Sequence, residues 1–100
     1  QECVDVFGAS VPDTVTLRHC WLYHTPEKQG EVLTFAKGGS RNILWENNVF
    51  GPAYTASDAN PSTIAGGSTP AVFPACENFL ARNNLFLLCK GDAAFALQGV

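Results

Sequence analysis

One hundred residues with a net charge of −3, 46% apolar and only 15% charged, fit a single domain with an adequate but not generous core. That balance excludes a disordered segment, and the scattered basic residues (Arg18, Lys28, Lys37, Arg41, Arg82, Lys90) give no clustered cation for nucleic acid or an anionic membrane surface. No apolar run approaches the roughly 20 residues of a membrane-spanning helix. The opening Gln1-Glu2-Cys3 carries neither the basic nor the apolar region of a secretory signal, so Gln1 reads as a processed terminus or the edge of a fragment.

In chain order, the first predicted strand is Val4-Asp-Val-Phe7. A longer unit follows, Val15-Thr-Leu-Arg-His-Cys-Trp-Leu22, and then a short stretch, Val32-Leu-Thr-Phe35. Lys37-Gly-Gly-Ser-Arg41 is a glycine-rich turn without the strand–helix context of a phosphate loop. The second long unit is Ile43-Leu-Trp-Glu-Asn-Asn-Val-Phe50. Residues 51–70, rich in small and turn-forming side chains, break the pattern and read as a loop excursion. Val72-Phe-Pro, a third long unit Phe79-Leu-Ala-Arg-Asn-Asn-Leu-Phe86, and Ala94-Phe-Ala-Leu97 complete the chain.

The long units alternate with period two, as strands with one face inward do, and stretches with helical spacing and caps are hard to find. Laid over one another they match Val15, Ile43 and Phe79; Leu17, Trp45 and Ala81; Arg18, Glu46 and Arg82; Cys20, Asn48 and Asn84; and Leu22, Phe50 and Phe86. Self-similarity at this spacing predicts a stacked architecture in which each unit buries its apolar face against the next. A hairpin meander would show Asn-Gly or Asp-Gly turns, and neither dipeptide occurs. Asn47-Asn48 and Asn83-Asn84 sit inside the units instead. Asparagine tolerates left-handed backbone and, stacked at one corner, forms an amide ladder, which Cys20 interrupts in the first unit.

On Arg41-Asn-Ile-Leu-Trp-Glu-Asn-Asn-Val-Phe50 and Glu77-Asn-Phe-Leu-Ala-Arg-Asn-Asn-Leu-Phe86, the chain resembles the right-handed parallel β-helix, or pectate-lyase-like, superfamily. The resemblance implies an all-β solenoid of three to four coils over residues 1–100, with one partial coil ending at Phe7 and others at 15–35, 43–73 and 79–97. It also implies a secreted or extracellular protein that binds or cleaves an acidic polysaccharide, with calcium possible on that ground alone. The alternative is a non-catalytic structural or adhesive module that stacks with further coils or end to end with its own copies. Leu44, Leu80, Trp21, Val49 and Leu85 are expected on the outside, more apolar surface than a lone domain usually shows.

Candidate chemistry is sparse. If the chain is a lyase, Arg18, Arg82 and Lys37 are the candidates for base and charge-neutralising groups, with Glu46 orienting them. A structural salt-bridge ladder explains Arg18, Glu46 and Arg82 more simply. Asp5, Asp13, Glu31, Asp58, Glu77 and Asp92 are dispersed, so no metal site or cofactor is predicted, and the paired carboxylates of a glycoside hydrolase are missing. Trp21, Tyr23 and Tyr54 are candidates for stacking on sugar rings. His19 belongs to the corner column of Asn47 and Asn83, and His24 is expected in solvent. Four cysteines suggest an oxidising compartment; Cys3–Cys20 with Cys76–Cys89 is the pairing with the shortest loops, against buried free thiols.

Overall fold

The computed structural model describes residues 3–7, 14–27, 32–37, 39–54, 63–67, 76–89 and 95–97. Among them there is no helix, only short strands: β1 (Val4–Phe7), β2 (Val15–Arg18), β3 (Trp21–Leu22), β4 (Thr34–Lys37), β5 (Arg41–Glu46), β6 (Val49–Phe50), β7 (Thr63–Gly67), β8 (Glu77–Arg82), β9 (Leu85–Phe86) and β10 (Ala96–Leu97). They form three sheets, ordered β1-β4-β7-β10, β2-β5-β8 and β3-β6-β9. Every pairing is parallel. The chain therefore visits the sheets in rotation, each return adding a strand beside the one laid down on the previous visit.

In the second and third sheets the paired residues are those that matching the three long units sets together. Val15 lies beside Ile43 and Ile43 beside Phe79; Leu17, Trp45 and Ala81 form the next inward row, and Arg18, Glu46 and Arg82 an outward one. In the third sheet Trp21, Val49 and Leu85 share a row, and Leu22, Phe50 and Phe86 share the next. Period-two alternation sends the first of these rows outward and the second inward. Trp21, Leu80 and Leu85 are accordingly exposed, and Leu44 and Val49 are half-buried.

The first sheet departs from the sequence reading. Val4 pairs with Thr34, so β4 begins two residues later than the Val32–Phe35 stretch. The third strand of that sheet is Thr63–Gly67, inside the segment read as an excursion, and Val72-Phe-Pro lies outside the described residues. Glycine and alanine mask a strand in composition, but parallel neighbours on both sides supply β7 with main-chain partners whatever its side chains are.

The core lies between the sheets. Trp45 and Phe50 are fully buried, with Ile43, Leu33, Ala36 and Ala53 around them. Phe79 packs edge-on to Trp45 with ring centroids 4.7 Å apart, and Phe86 stacks on Phe50 at 5.2 Å. Each large buried side chain contributes roughly 1.5–3 kcal/mol of transfer free energy.

The corner between the second and third sheets turns on one left-handed residue per pass: His19 (φ 56°), Asn47 (φ 56°) and Asn83 (φ 53°). The residue after it carries the ladder. Asn48 is buried; its Oδ1 accepts from Cys20 N at 3.0 Å, and its Nδ2 donates to Leu17 O at 2.9 Å and to Asn84 Oδ1 at 3.1 Å. Asn84 repeats the arrangement, accepting from Asn48 N at 3.0 Å and donating to Trp45 O at 2.8 Å. Cys20 ends the series by offering its backbone N–H alone. A second rung on the exposed side joins Asn78 Nδ2 to Asn42 Oδ1 at 3.1 Å, both residues again left-handed. Further along, Gly51 (φ 120°) lies against the next strand so closely that a Cβ would land on the Leu87 carbonyl oxygen.

Asn48→Ala strands the main-chain groups of Cys20 and Leu17 and breaks the bond to Asn84. Urea unfolding followed by circular dichroism should show a loss of about 2–4 kcal/mol. Thr16→Ala, on the exposed face of β2, should stay within about 0.5 kcal/mol of the parent.

Candidate functional site

Glu46 closes β5 between two arginines supplied by the flanking strands. Arg18 Nε lies 2.5 Å from Glu46 Oε1, while Arg82 places both Nε and Nη2 2.7 Å from Oε2. The carboxylate is 8% exposed and the guanidinium side chains 53% and 55%, so the acid is covered and the cations face outward. In-register stacking brings the groups together without adjustment, because rows of a parallel sheet are about 4.8 Å apart. The hydrogen bond from Arg82 is the largest influence holding the Glu46 carboxyl below the ordinary carboxylate range; burial opposes it, and Arg18 adds a second hydrogen bond and charge. A protonated guanidinium committed to a carboxylate is a poor proton acceptor.

Lys37 stands apart from this set. It ends β4 in the first sheet, paired with Phe7 and Gly67. Of the four residues considered for lyase chemistry, Arg18, Glu46 and Arg82 are thus joined as a salt-bridged trio on the second sheet, and Lys37 belongs to the first sheet.

Trp21 and Tyr23 point the same way from consecutive outward positions, 63% and 49% exposed, with ring centroids 4.9 Å apart and a 39° tilt. Trp21 Nε1 donates to Gly51 O at 2.7 Å, which fixes the indole against the next pass while leaving its face open. The two rings border a recess of about 350 Å³ that Cys3, Leu17 and Cys20 also line. Tyr54 is half-buried, and no ring contact joins it to this pair among the described residues.

His24 corrects the sequence reading: it is 6% exposed, not solvated. Its Nδ1 accepts from Tyr54 N at 3.2 Å and its own backbone N–H donates to Pro52 O at 2.8 Å, while Nε2 has no hydrogen-bond partner among the described residues. Burial lowers its pKa against the pull of the Val32 and Tyr54 main chain. The stability this neutral imidazole contributes is complete above the unfolded value of about 6.5 and declines as pH falls through the lower folded value. The available signal was the alternation itself, since Leu22 in and Tyr23 out put His24 in.

None of the four cysteines is disulfide-bonded. Cys3 is exposed, with its thiol pKa raised by burial of the sulfur, which disfavours a reactive thiolate; Cys20, Cys76 and Cys89 pack against the core. No group of three or more His, Cys, Asp or Glu side chains converges to hold a metal among the described residues.

The depressed Glu46 carboxyl stabilises the fold above its unfolded pKa of about 4.3, and that contribution is lost as pH falls through the folded value. Glu46→Gln should therefore melt below the parent at pH 7, with the gap narrowing as pH drops below about 4.3. Melting followed by circular dichroism from pH 7 to pH 3 checks this, and a gap independent of pH would refute it. Comparison of the chain with protein families, curated proteins and solved structures returns no match.

Proposed function

We propose that the three-sheet rotation is the winding of a right-handed parallel β-helix of three to four coils. In this reading the chain belongs to a secreted, extracellular protein that binds an acidic polysaccharide without cleaving it. The winding is supported by the regular order of visits to the sheets, and the hand by the strong preference of parallel crossover connections for right-handedness. The observation that carries the binding role is the Trp21–Tyr23 pair, two exposed rings held side by side on an outward face. Aromatic faces of this kind stack on the apolar faces of sugars. The net positive trio, with both guanidinium groups more than half exposed, supplies the attraction for uronate carboxylates. Cleavage is disfavoured because two of the three candidate bases, Arg18 and Arg82, are already paired with Glu46.

A second reading, a structural or adhesive module without ligand chemistry, draws on the apolar side chains left outside: Leu80, Leu85 and Leu88 are 49%, 53% and 82% exposed. The two readings diverge in one titration. Trp45 is fully buried and Trp21 is the other tryptophan, so a change in indole fluorescence on adding oligogalacturonate reports Trp21. Saturable quenching is expected, weakened about tenfold or more by Trp21→Ala, which removes the indole face and leaves Tyr23 in place. Unsaturated products absorbing in the ultraviolet should not accumulate between pH 6 and 9, with or without calcium. No fluorescence change with oligogalacturonate or alginate would leave the module reading.

A further inference from the structure

The main chain around and just past β3 is tied to the main chain just past β6 by four hydrogen bonds. Gly51 N donates to Leu22 O and His24 N to Pro52 O, both at 2.8 Å. Trp21 Nε1 donates to Gly51 O at 2.7 Å, and Tyr54 N donates to His24 Nδ1 at 3.2 Å. Three of these bonds join main-chain and indole groups that do not titrate. The fourth ends on an imidazole nitrogen, which accepts only while it carries no proton. His24 is therefore the one member of this seam whose bonding changes between about pH 5 and 8. Accepting at Nδ1 leaves the ring proton of neutral His24 on Nε2, which has no hydrogen-bond partner among the described residues, in a side chain only 6% exposed. A second proton has to go on Nδ1, where it meets the Tyr54 N–H head-on. Burial opposes that charge, with the Val32 main chain drawing the other way. The titratable side chains on the described segments around the ring are Cys3, Asp5, Tyr23, Glu27 and Tyr54. Asp5 and Glu27 are exposed, and the thiol and phenols are neutral in this range.

We propose that His24 is an acid-released latch for the Trp21–Tyr23 face: a proton on Nδ1 frees residues 51–54, Trp21 loses the Gly51 carbonyl, and the indole leaves its place beside Tyr23. The segment that bears the Gly51 oxygen is held at its far end through His24 twice, by the ring at Tyr54 N and by the backbone N–H at Pro52 O. An imidazolium that turns toward water strains both bonds, while the bond from Gly51 N to Leu22 O stays as the pivot. Trp21 feels the movement because its side-chain N–H is bonded to that segment, whereas its ring face is open and packs only against Tyr23. The latch is closed above the unfolded histidine value of about 6.5 and opens as pH falls through the lower folded value. Its control of saccharide binding rests on the polysaccharide reading of this face; the movement of the indole does not.

Nuclear magnetic resonance of the nitrogen-labelled chain reads both ends of the latch, since Trp21 and Trp45 are its only indoles and His19 and His24 its only imidazoles. Trp21→Phe and His19→Gln assign the signals. Between about pH 7.5 and about pH 5 the Trp21 indole N–H signal should shift and exchange faster with water, at the midpoint of the His24 ring and below about 6.5, while the Trp45 signal and the circular dichroism stay in place. His24→Asn puts an amide oxygen where Nδ1 accepts and cannot titrate, so its Trp21 signal should hold still over the same range. A Trp21 signal that stays fixed while His24 titrates, that follows the His19 midpoint, or that moves equally in His24→Asn would overturn the proposal. So would a His24 ring that takes no proton before the chain unfolds, and these parent titrations decide the matter even where His24→Asn does not fold. Affinity for oligogalacturonate should fall about three- to tenfold from about pH 7.5 to about pH 5, a range in which carboxylates and guanidinium groups keep their charge, and the fall should vanish in His24→Asn. Equal affinity at both ends of the range would overturn the control of binding. Absence of binding at every pH would sink the polysaccharide reading instead, with the indole titration still deciding the latch.

Discussion

The amide of Asn48 is bonded to the pass before it and the pass after it, and both bonds are satisfied only in one register. Cys20 N and Leu17 O hold it on one side and Asn84 on the other. Parallel strands of two to six residues specify their alignment weakly, because each offers few main-chain bonds and a slip of one residue reverses the faces. A buried carboxamide with fixed partners removes that freedom at the corner, where the strands are shortest. The aromatic stack of Phe50 on Phe86 and the ion pairs of Glu46 are downstream of this alignment. Either would be lost by a one-residue slip.

The same alignment governs what the outward groups do. A carboxylate between two guanidinium groups one row away on either side is neutralised by geometry, so the most suggestive charged cluster in the chain is committed to holding strands together. The groups left for recognition are those that the rows cannot pair internally: the rings of Trp21 and Tyr23, and the outward arginine faces. Lys37 belongs to a strand of the first sheet.

Much of the second and third sheets was legible beforehand, and for a physical reason. Where one residue type recurs at one row, as with Asn48 and Asn84 or Phe50 and Phe86, like packs on like and the repeat in the sequence is the register in space. The first sheet was less legible because its matching rows are of small residues, Thr34 with Thr63 and Ala36 with Ala65, and the register shifts between Ala36 and Lys37. A strand reading Thr-Ile-Ala-Gly-Gly has one large apolar residue and carries no hydrophobic period, so Thr63–Gly67 read as loop. His24 was missed for the opposite reason. A titratable side chain beside a proline-containing turn suggested solvent, although the alternation of its neighbours pointed inward. The pairing of Arg18, Glu46 and Arg82 was readable from the matched units alone, whereas the close approach of the Trp21 and Tyr23 rings required the backbone.

Gly51 sets a limit on how alike the three units are allowed to become. It follows the second unit as Tyr23 follows the first and Leu87 the third, and the Leu87 carbonyl occupies the space a side chain would need there. The units are therefore not interchangeable parts. A duplication that copied the first or third unit together with the residue after it into the second place would carry a tyrosine or leucine into a position with no room for it.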